Sequence, residues 1–101
     1  MTESIWIHYA RPRPHWYALP EAERISHRAA WNEIAAQSET LGGRRTGPYH
    51  IRGQHDFETV EVWTFPSVEA ALDHWVRLTA RGYNEWFAFA NNVGLATEAA
   101  P

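Results

Sequence analysis

Two stretches with helical periodicity, each closed by glycine and each preceded by β-type sequence, set the limits on what this chain can fold into. The first stretch opens at Pro20, a residue suited to the first helical position, with Glu21 and Glu23 complementing the positive helix start. His27, Trp31, Ile34, Ser38 and Leu41 then fall on one stripe, with Ala22, Ala29 and Ala36 opposite. Gly42-Gly43 stops it, which predicts a helix over about 20–41. The second stretch starts behind Ser67, a good N-cap, carries Glu69 in its first turn, and ends at Arg81-Gly82. Val68, Ala71, Leu72, Trp75 and Thr79 mark its expected buried stripe, over about 67–80.

The remaining segments have strand character. Residues 4–10 are β-branched and aromatic. Residues 44–52 form a shorter strand interrupted by Gly47-Pro48, and 57–65 (Phe-Glu-Thr-Val-Glu-Val-Trp-Thr-Phe) is the clearest strand of all. Residues 85–93 fit helix or strand by period, and their aromatics favour strand. Pro12 and Pro14 predict an extended loop over 11–17, and Gly53 to Asp56 reads as a turn. The tail from Ala96 to Pro101 is expected to fray. The order is β-α-β-β-α-β, the ferredoxin-like split βαβ arrangement. It predicts an α+β fold: an antiparallel sheet, the first and third strands central, the second and fourth at the edges, both helices on one face. At 101 residues this is a single domain over 1–101.

Composition narrows the chemistry. There is no Cys, which removes disulfides, Cys-bound zinc or iron–sulfur sites and thiol catalysis. All basic residues are Arg, so no lysine Schiff base can form. A net charge of −3 argues against a sequence-independent nucleic-acid binder. No apolar run approaches the roughly 20 residues that span a bilayer, and the N-terminus has no signal-peptide pattern; no membrane association and a cytoplasmic location are expected. No phosphate-binding Gly loop, dinucleotide fingerprint or nucleophile elbow is present.

The run Glu61-Val62-Trp63-Thr64-Phe65-Pro66-Ser67-Val68-Glu69-Ala70-Ala71-Leu72-Asp73-His74-Trp75 resembles the strand-to-helix junction of the dimeric α/β-barrel superfamily. That group includes antibiotic-biosynthesis monooxygenases, EthD-like, muconolactone-isomerase-like and stress-responsive barrel proteins. The shared pattern is an aromatic strand end, a short turn carrying an acid, and an Ala/Leu/Trp helix. The resemblance implies a homodimer in which two sheets face one another around a pocket in each subunit. It does not define a reaction.

Strand alternation sorts the candidates. Ile5, Ile7, Tyr9, Val60 and Val62 are expected beneath the helices. Trp6, His8, His50, Arg52, Glu61, Trp63 and Phe65 are expected on the opposite face, where a monomer would expose the aromatics. His8 or His50 is then a candidate general base, Glu61 its orienting partner and Arg52 an oxyanion donor. Trp6, Trp63 and Phe65, with Trp16, Tyr17 and Asn91, would hold an aromatic or polyketide-like ligand. His15, Trp16 and Tyr17 form either a lid or a loop pinned by its aromatics. His27 reads as a hydrogen-bonded core residue, and His55 as a turn residue.

The trio His8, Glu61 and His50 matches a two-His, one-carboxylate metal site only in composition, and no metal is expected. Some superfamily members bind haem through a His on the second helix. Here the corresponding region reads Tyr83-Asn84-Glu85, and His74 falls on the flank of the expected stripe, where it should be solvated. No cofactor is therefore expected. The expected function is a cofactor-independent cyclase, isomerase or monooxygenase in biosynthesis. The alternatives are a non-catalytic ligand-binding or stress-associated barrel, and a polar face that is simply a hydrated dimer interface.

Overall fold

The structure is a computed structural model and describes residues 2–97. Strand β1 (Ser4–Pro12) leads through a short 3₁₀ turn (Pro14–Ala18) into α1 (Glu21–Thr40). Strands β2 (Arg44–His50) and β3 (Thr59–Phe65) follow, then α2 (Val68–Ala80), the single-turn α3 (Tyr83–Trp86) and β4 (Phe87–Leu95). All pairings are antiparallel, in the order β2-β3-β1-β4. This is the expected ferredoxin-like α+β fold with β1 and β3 at its centre. The expected fraying concerned a tail whose residues 98–101 lie outside those described.

Several boundaries differ for local reasons. Pro12 extends β1 because it pairs only with the edge strand β4, opposite Phe87. Pro14 opens the 3₁₀ turn, where its missing N–H is harmless. Residues 11–17 are therefore not an extended loop. Gly82, at φ 77°, ends α2 in the left-handed conformation and starts α3 directly, so residues 83–86 are helical and the strand begins at Phe87. The Ser67 hydroxyl accepts from the Ala70 N–H at 3.1 Å, as its capping role requires.

The sheet is turned over relative to expectation. Trp6, His8, Trp63 and Phe65 are all buried beneath the helices, whereas Ile5 is exposed and Ile7, Tyr9, Val60 and Val62 are half-buried on the open face. The reason is area: an aromatic ring buries far more apolar surface than an aliphatic side chain. Under the helices the rings meet partners of their own kind. Trp63 stacks on Phe65 at 5.2 Å and 4°, and Trp16 on Trp31 at 5.5 Å. Trp16 is thus a core residue and not a lid. Close approach at the α1–β2 corner depends on Gly43, where a Cβ would lie 3.0 Å from Ser38 O, Trp63 Cζ3 and Phe65 Cε1.

The helices also present faces other than those expected. On α1, Trp31, Ile34 and Ser38 are buried as predicted, while Leu41 ends the helix exposed. On α2 the buried residues are Ala71, His74 and Leu78, with Leu72 half exposed at 51%. His74, expected in solvent, is 1% exposed. No described helix is long and apolar enough to cross a membrane.

Candidate functional site

A cavity of about 540 Å³ lies between the helices and the sheet, within the usual range for small-molecule and cofactor sites of about 300–1,000 Å³. Helix α1 contributes Arg28, Trp31 and Ala35; α2 contributes His74 and Leu78; α3 contributes Tyr83. The sheet supplies His8, Arg45, His50, Glu61 and Phe87, and Tyr17 stands at the rim.

Register explains the polar wall. His8 lies opposite Glu61 on β3 and opposite Asn91 on β4, so all three point to the helix side. His8 Nδ1 is 2.6 Å from Asn91 Oδ1, and His8 Nε2 is 2.8 Å from the Tyr83 hydroxyl. An amide oxygen can only accept, so Nδ1 carries the proton and Tyr83 donates to Nε2. Burial lowers the pKa of His8, opposed by its bond to Asn91 and by the charge of Glu61. Burial, aided by Glu61, raises the Tyr83 phenol above its ordinary value. The Glu61 carboxylate itself accepts from Trp63 Nε1 at 2.5 Å.

His74 is held differently. Its ring lies 4.6 Å from Trp63, 5.1 Å from Trp6 and 5.4 Å from Phe65. Nδ1 is 2.6 Å from Ser38 Oγ, which also accepts from Arg77 Nη2 at 2.7 Å. Arg77 is itself tied to Asp73 on α2 and to Gln37 on α1. Among the described residues Nε2 has no hydrogen-bond partner, yet no buried side-chain nitrogen or oxygen lacks one. Nε2 is therefore not wholly enclosed, and His74 is among the residues that line the cavity. Burial first, then the positive charge of Arg77, lowers the His74 pKa to about 4, so the ring is neutral at pH 7.

Of the residues singled out in the sequence, His8, Glu61, His50 and Tyr17 line this cavity. Arg52 does not; it lies in a separate cleft with the 51–58 loop. Trp6, Trp63, Phe65 and Trp16 pack behind the wall as core, and Asn91 acts through His8. His74, weighed in the sequence but expected in solvent, lines the cavity, and Tyr83, Arg28 and Arg45 were not singled out. Ala71, His74 and Leu78 recur at spacings of three and four, so the signal for His74 was present but competed with the Val68–Leu72–Trp75 stripe. No cluster of three or more His, Asp or Glu able to hold a metal ion exists among the described residues.

No family model matches the chain, and no curated protein matches its sequence. Solved structures do share its fold. A mutant chlorite dismutase from Candidatus Nitrospira defluvii superposes with a TM-score of 0.81 at 11% identity, covering 97% of this chain and 41% of that one. The same enzyme in complex with imidazole gives 0.73 at 14%, covering 95% and 41%. A haem-binding protein from Thermus thermophilus gives 0.76 at 13%, covering 93% and 40%. The chain thus spans about two fifths of the length of these structures. At such identities the likeness establishes the fold, and it does not single out the monooxygenase or EthD-like groups. The expectation of a cofactor-independent cyclase, isomerase or monooxygenase is overturned: the similar structures are chlorite dismutases and a haem-binding protein. The face on which that expectation placed its pocket is, moreover, the aliphatic one.

Proposed function

We propose that this chain is a haem-binding domain in which His74 would hold the haem iron through Nε2. The observation that carries the reading is a neutral, buried imidazole on the cavity lining whose one nitrogen is fixed by Ser38 while the other has no hydrogen-bond partner among the described residues. The donor set fits. Metal-ligating His residues typically give their second ring N–H to an oxygen acceptor, which sets the tautomer. Ser38 Oγ has two lone pairs; one takes the Arg77 proton and the second can take Nδ1–H. Trp31, Leu78 and Phe87 supply apolar wall for a flat ring system, with Arg28 and Arg45 as cations on the same lining. Bound haem would supply redox and diatomic-ligand chemistry. The fold that this chain shares with chlorite dismutases and a haem-binding protein supports the reading.

Titration with hemin tests it. A saturable, shifted Soret band at one equivalent per chain is expected. His74→Gly should abolish it and millimolar imidazole should restore it, while His8→Ala should retain it. An unshifted Soret band with the native chain, or an unchanged titration with His74→Gly, would remove haem from the account.

We propose further that a second copy covers the open sheet face. Its partly exposed Ile5, Ile7, Tyr9, Val60 and Val62 form a continuous apolar surface across the paired central strands. This replaces Trp6, Trp63 and Phe65, which the monomer already buries, as the ground for expecting a dimer. Light scattering should give about 23 kDa, twice the 11.6 kDa of one chain, and Ile7→Arg should give the monomer mass. A native mass near that of one chain at micromolar concentration would count against it.

A further inference from the structure

Arginine use in this chain is mostly committed. Arg13 and Arg24 donate to backbone carbonyls, and Arg44 and Arg77 bond carboxylates. Arg28 and Arg45 lie over aromatic rings. Arg11, Arg52 and Arg81 have no side-chain hydrogen-bond acceptor and no carboxylate partner among the described residues, and of these Arg81 stands alone at the end of α2. Arg11 and Arg52 line one cleft of about 560 Å³, together with His50, His55 and Glu58. The lining holds two guanidiniums and one carboxylate, with Asp56 in the same loop between His55 and Phe57.

The backbone adds donors of its own. The loop is closed by the Ile51 N–H donating to Glu58 O at 2.9 Å, and Glu58 N–H donates to Ala10 O at 3.0 Å. Between these bonds, none of the N–H groups of residues 52–57 has an acceptor within the described chain. Gly53, at φ 85°, turns the loop, and a Cβ there would meet nothing within 4 Å, so the cleft is open at that point. Free guanidinium forks and free backbone N–H groups are the two donor types that bind oxyanions.

We propose that this cleft is a binding site for a phosphate group, with Arg11 and Arg52 as its charged donors. A phosphate dianion has enough oxygens to use two guanidiniums and loop N–H groups at once, and it gains twice the attraction of a monoanion to each guanidinium. A monocarboxylate has two oxygens and a single charge. The site is separate from the proposed haem cavity, although His50 and Glu58 border both. Nothing in it depends on haem.

The test uses the full chain labelled with ¹⁵N and titrated with sodium phosphate at constant ionic strength. Saturable shifts confined to Arg11 and residues 50–58 are expected. Arg11→Gln and Arg52→Gln, both at exposed positions, should each weaken binding at least tenfold and leave the remaining spectrum unchanged. His74→Gly should bind phosphate like the native chain, which separates this result from the haem titration. Non-saturating shifts, equal shifts with sodium chloride, equal affinity for acetate, or unaltered binding in both arginine variants would each overturn the proposal.

Discussion

Replacing Trp63 with alanine is expected to cost most of the stability of this fold. The side chain is fully buried at the centre of β3, between Phe65 and His74, with Arg45 5.7 Å above its ring. Phe/Trp→Ala changes in cores cost about 3–5 kcal/mol, because the lost transfer energy is compounded by the cavity left behind. Small domains hold only about 5–15 kcal/mol in total. The substitution also strips Glu61 of its indole donor, leaving a half-buried carboxylate without that bond. Trp63→Phe keeps most of the packing and should cost clearly less. Urea denaturation followed by far-UV circular dichroism gives both numbers. A loss below about 1 kcal/mol for Trp63→Ala would contradict the placement of Trp63 beneath the helices.

Acid should weaken the fold well before carboxylates titrate. His74 has an ordinary value of 6.5 when unfolded and about 4 in the fold. Between these values the unfolded chain binds more protons than the native one, so stability falls as pH falls. The contribution is fully present above pH 6.5, is lost on descending toward pH 4, and amounts to about 3 kcal/mol at roughly 1.4 kcal/mol per unit. Burial is the main cause of this value, and charges that face His74 from α2, β1 and β2 adjust it: Arg77, His8 and Arg45 oppose its protonation and Asp73 favours it. His8 is shifted in the same direction and adds to the slope. The urea midpoint should therefore drop between pH 6.5 and 5, and His74→Leu should flatten that drop. A midpoint constant through that window in the native chain would show that His74 is not buried neutral.

Local signals carried the element order. Gly42-Gly43, the Ser67 cap and Gly82 act through backbone conformation, which neighbouring residues dictate. The strand order followed from them. Alternation also grouped Trp6 with His8, and Glu61 with Trp63, on common faces, as the pairing of β1 with β3 requires. What alternation does not encode is which face the helices cover. That choice depends on whether aromatic or aliphatic side chains gain more from the helix surfaces, a tertiary quantity. The same gap hid His74. Its helix can be rotated so that either Leu72 and Trp75 or His74 and Leu78 face inward. The deciding contacts come from Ser38 on another helix and from Trp6 and Trp63 on two strands. Tyr83 was legible only once the turn after Gly82 was known to be helical.

The pairing of β1 with β4 also bears on how the fold is reached. His8 and Asn91 are 83 positions apart, and the Ala96 N–H donates to Glu3 O at 3.1 Å. A central strand made well before β4 thus has one flank unpaired until β4 leaves the ribosome. Contacts of such long sequence separation are slow to form, because loop closure precedes any gain. During that interval the Ser4–Pro12 strand, rich in β-branched and aromatic residues, is an open edge. The nascent chain is most exposed to misassociation at that stage, and a chaperone that shields β-strand edges would act there.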